Sequence, residues 1–92
     1  MAIYLLFGKY SAESLKGISA KRSEEARALI KKHGGELKAA YATLGGADLM
    51  MAVDLPDNKQ AMAVSMALAK ATGIGFTTSP AVPIDEFDKL AG

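Results

Sequence analysis

Two short stretches of this chain are apolar at almost every position, and they limit what the rest can become. Ile3-Tyr4-Leu5-Leu6-Phe7 opens the chain, and Leu49-Met50-Met51-Ala52-Val53 lies near its middle. Both are too short to span a bilayer and both end at polar or turn-forming residues, so each reads as a strand buried on two faces. Such strands belong in the centre of a sheet that has a layer against each side. With 92 residues available, a single body buries only about 60–65% of the surface its unfolded chain exposes. One covering layer can be built from this chain, and the other is expected to come from a second copy.

The remaining segments supply the first layer. Strand one runs from Ile3 to Lys9 and is followed by Ser11, a capping residue. Residues 12 to 33 then place Leu15, Ile18, Ala26, Leu29 and Ile30 at helical spacing before Gly34-Gly35. Gly17 and Ser19 weaken the helix there, and Glu24 and Glu25 favour a restart near Ser23. Glu36 to Leu44 alternates through Leu37, Ala39, Tyr41 and Thr43 on one side, then meets the hairpin-forming pair Gly45-Gly46. Asp48 to Leu55 is strand three, with Leu49, Met51, Val53 and Leu55 on one face and Met50 and Ala52 on the other. Asp57 and Gln60 have capping-box spacing ahead of a helix over Ala61 to Ala71, stopped by Gly73. Phe76 to Ser79 forms a fourth strand that Pro80 ends at a sheet edge. In the tail, Pro83 to Leu90, one side of a short helix carries Ile84, Phe87 and Leu90 and is expected to dock on the body.

The order βαββαβ plus a tail is that of an α+β, ferredoxin-like domain over residues 1–92. Its right-handed crossovers put both helices on one face of a four-stranded antiparallel sheet, with strands one and three central. The exposed side of those strands predicts pairing of the chain with itself, as a homodimer or a higher oligomer.

Charge narrows the partners further. Net charge is +1, yet residues 1–46 carry +4 and residues 47–92 carry −3. That asymmetry can steer a charged ligand, but nucleic-acid binders concentrate a larger basic excess among aromatics, so neither nucleic acid nor membrane is expected as a partner. The absence of cysteine removes thiolate chemistry and suits a reducing cytoplasm, and the opening residues lack a signal peptide's basic start.

Several blocks resemble the GYD domain family of small bacterial and archaeal proteins. They are Tyr4-Leu5-Leu6-Phe7-Gly8-Lys9-Tyr10-Ser11, Arg22, Gly34-Gly35-Glu36-Leu37-Lys38 with Tyr41, Leu44-Gly45 with Asp48, Pro56-Asp57, and Ala81 with Glu86-Phe87. The resemblance covers nearly the whole chain and implies a dimeric α/β barrel, an architecture shared by monooxygenases, isomerases, haem enzymes and ligand-sensing domains. One departure stands out: where the family motif ends in Tyr-Asp, this chain has Gly45-Gly46-Ala47-Asp48. If that tyrosine fills a pocket in relatives, Ala47 leaves a larger cavity or admits a different ligand.

Candidate chemistry is sparse. His33, the single imidazole, lies on the inward side of helix one and is either a general base or a helix C-terminal residue facing terminal carbonyls. Arg22 falls on the same stripe; a guanidinium there needs a carboxylate, with Asp48 as the candidate if the helix is continuous through Gly17 and Ser19, or an anionic ligand. The hydroxyls of Tyr41 and Tyr4 can orient a substrate or serve as wet tips of core residues, and Lys9 can hold an anion. Asp48 and Asp54 lie about 20 Å apart along one strand, too far for a glycosidase pair. No metal-ligand set, dinucleotide loop or nucleophile elbow is present, and no cofactor is implied. Met50, Met51, Met62 and Met66 can line an adaptable pocket or fill core. The leading expectation is an oligomeric small-ligand binding domain with Arg22, Tyr41 and Asp48 near the pocket. The alternatives are a cofactor-independent monooxygenase or isomerase, using His33 or Tyr41 for proton transfer, and a pure assembly module.

Overall fold

A computed structural model describes all residues from Met1 to Gly92. The elements are β1 (Ala2–Lys9), α1 (Ala12–Lys16), α2 (Ala20–Lys32), β2 (Glu36–Ala42), β3 (Leu49–Leu55), α3 (Asn58–Thr72), β4 (Gly75–Ala81) and α4 (Ile84–Ala91). The sheet order is β2-β3-β1-β4, and every pair is antiparallel. This is the ferredoxin-like plan, with the two strands richest in apolar residues at its centre.

Central placement follows from the burial that β1 and β3 require. Tyr4, Leu6, Met51, Val53 and Leu55 point to one side and meet Ile30 of α2 and Ala61, Val64 and Leu68 of α3 in a single core cluster, each at 4% exposure or less. Alternation along the strands sends Ile3, Leu5 and Phe7 of β1 and Met50 and Ala52 of β3 to the opposite side. There they remain half-buried or, for Phe7, exposed.

Four local details differ from the sequence reading. The first helix does restart after Gly17, but at an earlier cap: Ser11 and Ser14 close a reciprocal cap on α1, Gly17 ends it, and Ser19 rather than Ser23 caps α2 by accepting from the Arg22 amide. Leu15 and Ile18 consequently leave the core stripe and lie exposed. In β2, the register passes from Leu37↔Val53 to Ala39↔Ala52, so Lys38 is an extra residue, a β-bulge. Beyond it the faces exchange: Leu37 and Ala40 turn to the helices, while Tyr41, opposite Met50, turns to the open side. The expected alternation of Leu37, Ala39 and Tyr41 on one face is thereby corrected.

The third difference is at Pro80, which does not end β4. The strand continues to Ala81, because β4 is an edge and a proline there leaves no ladder bond unmade. The fourth is at the tail. Helix α4 forms over Ile84–Ala91, but all its residues are exposed, so the expected docking on its own body does not occur. Helix α3 begins directly after its expected cap, where the Asp57 carboxylate accepts the Gln60 amide at 2.9 Å. It stops at Gly73, whose left-handed φ of 75° suits glycine.

Candidate functional site

Between α2 and the covered face of the sheet, on the side of the α1–α2 break, lies a cleft of about 130 Å3. Apolar side chains form its walls, including Leu37, Leu49, Met51 and Phe76, and Arg22 and Arg27 contribute charged groups. The connection between α1 and α2 borders this space, with Ile18 and Ser19 among its lining.

Arg22 is held from two sides. Its Nη1 donates to the Ser14 carbonyl at 2.6 Å, and its guanidinium carbon lies 5.9 Å from the centre of the Tyr10 ring, within cation–π range. Gly17 makes this approach possible, because a Cβ there would meet Nη1 at 2.8 Å. No carboxylate lies within 4.0 Å of the guanidinium. The ion pair with Asp48 required a continuous first helix, and the break removes that condition.

Asp48 has a different place. Its Oδ2 accepts the Tyr10 amide at 3.0 Å, its own amide donates to the Gly8 carbonyl at 2.8 Å, and Lys9 lies at 4.0 Å. Asp48 therefore fixes the turn after β1, and through it the ring beneath Arg22. Both residues touch Tyr10, and they do not touch each other.

The other sequence candidates are elsewhere. His33 ends α2, and its Nδ1 lies 3.1 Å from Gln60 Oε1, joining the end of α2 to the first turn of α3. That contact takes the Gln60 side chain away from a full capping box. Tyr4 is a core residue whose hydroxyl donates to Asn58 Oδ1 at 2.6 Å. Tyr41 is 59% exposed on the open face, where it borders a hollow of about 390 Å3 with Phe7, Met50, Leu44 and Ala47. Ala47, the residue that replaces the motif tyrosine, thus sits beside vacant apolar space. Of the four methionines, only Met51 is core; Met50 lies on the open face, and Met62 and Met66 are exposed on α3.

Sequence reasoning missed Ser14, Tyr10 and Gly17 as supports of Arg22. The Ser11 cap and the weak helix at Gly17 were the available signals, but the four-residue shift of the second cap from Ser23 to Ser19 decides where the guanidinium points.

The family model for the GYD domain matches residues 4–91, almost the full length of the fold just described. The chain belongs to the GYD domain family. No curated protein matches it in sequence. Among solved structures it is similar to the Mycobacterium tuberculosis leucine response regulatory protein LrpA, at 8% identity and a TM-score of 0.59. The match covers 89% of this chain and 51% of that one, so this GYD chain spans about half the length of LrpA. At that identity the likeness shows a shared fold. No helix of the chain is long and apolar enough to cross a membrane.

Proposed function

We propose that this GYD domain binds a small organic anion with an apolar body in the α2–sheet cleft, and that it does so as a homo-oligomer joined through the open sheet face. The observation carrying the first half is Arg22: a guanidinium at an apolar cleft, held in place by Ser14 and Tyr10, with no carboxylate of its own chain in range. A charge so placed attracts an anion most strongly where apolar walls keep water out. The size of the cleft suits a ligand near that of benzene, which fills an apolar cavity of about 150 Å3. The second half rests on Ile3, Leu5, Phe7 and Met50, which form an apolar surface that no helix of the chain covers.

Benzoate is a suitable probe, with benzamide as its neutral counterpart. At about ten times its dissociation constant, benzoate should stabilise the domain by about 1.4 kcal/mol, read as a rise in melting temperature. Arg22→Gln should abolish that rise. Equal responses to benzoate and benzamide, or no response to either, would overturn the anion site and leave the assembly-module reading. Sedimentation tests the second half: a stable monomer at micromolar concentration would remove it.

The monooxygenase or isomerase reading needs a proton-transfer group beside Arg22. Within one chain, His33 is bonded to Gln60 and Tyr41 lies on the other side of the sheet, so no observation favours that reading over binding. A chain without cysteine also suits the cytoplasm, which we infer as its location.

A further inference from the structure

Helix α4 and the outer surface of α3 are complementary, and we infer that α4 of one copy docks on α3 of a second. This contact lies outside the sheet-face pairing proposed above and rests on different residues. On α3, the exposed residues Lys59, Met62, Met66 and Lys70 follow one another at spacings of three and four, forming one stripe with methionines in the middle and a lysine at each end. Met62 and Met66 are 68% and 60% exposed, and they border a groove of about 420 Å3 between α3 and the edge strand β4. Exposed methionine surfaces adapt readily to an apolar partner.

Helix α4 has the matching pattern. Ile84, Phe87 and Leu90 lie within an arc of about 120° at helical spacing, and they are 53–79% exposed. At the same spacing, Asp88 borders one margin of this arc and Glu86 the other, with Asp85 behind. An apolar stripe with acidic margins thus faces a methionine stripe with lysine ends. The lengths agree too: the eight residues of α4 span about 12 Å and Lys59 to Lys70 about 16 Å, at 1.5 Å per residue. The one acid at the start of α3, Asp57, is engaged with the Gln60 amide.

The connection between β4 and α4 argues for a second copy as the source of the helix. Only Val82 and Pro83 separate the two elements. Pro83 is extended at φ −58° and ψ 147°, and a β-branched residue before proline is itself biased toward extended backbone. The extended Pro83, after a residue biased the same way, projects α4 away from its own body, in keeping with principal extents of 47 × 30 × 19 Å, and a return into its own groove would need a reversal that this pair resists.

The chain contains no cysteine, so introduced thiols report directly. A Met66→Cys chain is mixed with a mass-tagged Phe87→Cys chain under mild oxidation, and Glu24→Cys on exposed α2 replaces Met66→Cys as the control. Docking should raise the mixed disulfide at least about tenfold over the control, because it raises the local concentration of one thiol at the other. Equal yields in the two mixtures would overturn the inference. So would an internal disulfide in a dilute Met66→Cys/Phe87→Cys double variant without mixed dimer, since the helix would then occupy its own groove. The full-length Phe87→Asp chain gives a second readout, expected to weaken the mixed disulfide formed between Met66→Cys and a Leu90→Cys version of it. Retention of the mixed disulfide in a Phe7→Lys background would show the α3–α4 contact standing without the sheet-face pairing. Loss of the disulfide in chains that still sediment as dimers would sink this inference and leave the pairing intact.

Discussion

The two faces of this sheet are built from the same strands and nearly the same residue types, but only one is satisfied within the chain. On the helix side, Leu6, Val53 and Leu55 are completely buried among α2 and α3 side chains. One residue away along the same strands, Leu5, Phe7, Met50 and Ala52 meet no helix. The contrast separates two kinds of stability. Residues of the covered face act within a single molecule, whereas those of the open face act at a concentration-dependent contact.

The largest contrast between the faces should come from Leu6→Ala beside Leu5→Ala. Leu6→Ala should cost about 2–5 kcal/mol through lost burial and a cavity, measured as a lower urea midpoint independent of protein concentration. Leu5→Ala should shift the midpoint less in dilute solution and more as the concentration rises. Equal, concentration-independent losses would mean that the faces are not distinct.

Gly35 tests the covered side through the backbone. A Cβ there would run into the Asp54 carbonyl oxygen and the Leu55 side chain. Gly35→Ala should therefore destabilise the monomer by about 2–3 kcal/mol through overpacking, again by urea denaturation. On the open side, Phe7→Lys should leave the monomer folded and weaken association by about 2 kcal/mol, roughly thirtyfold in dissociation constant, measured by sedimentation. The smallest effect should come from Gly17→Ala. The obstructing atom is the mobile end of Arg22, so stability should change by less than about 1 kcal/mol, while the thermal response to benzoate falls as in Arg22→Gln.

What the sequence made legible follows the same division. The central strands announced themselves, since runs such as Leu49–Leu55 have no other economical place in a small α+β chain. Helix α3 was legible from Asp57, Gln60 and Gly73, where capping chemistry is local. The errors arose where one residue changes a phase. Ser19 and Ser23 are both acceptable caps, and the choice between them depends on how Arg22 meets Ser14 and Tyr10 across the break. Lys38 carries no mark of a bulge, and its extra step is visible only once β2 is paired with β3. The amphipathic pattern of α4 was clear, but periodicity tells which side of a helix is apolar and not whose surface will receive it. For the candidate site, Arg22 was legible as a charge on an apolar stripe, while its supports Tyr10, Ser14 and Gly17 required the fold.

The extra residue in β2 has a consequence for how such a domain can diverge. Pairing Lys38 in the ladder would put Tyr41 opposite Leu49 and exchange Ala40 for Tyr41 at the ligand side without altering either residue, whereas deleting Lys38 would close the ladder and leave both where they are. A family built on this scaffold can therefore trade its cleft lining for its contact surface by gaining or losing the bulge at constant length, and a gapless alignment with a relative that pairs this position regularly would compare side chains living on opposite sides of the sheet.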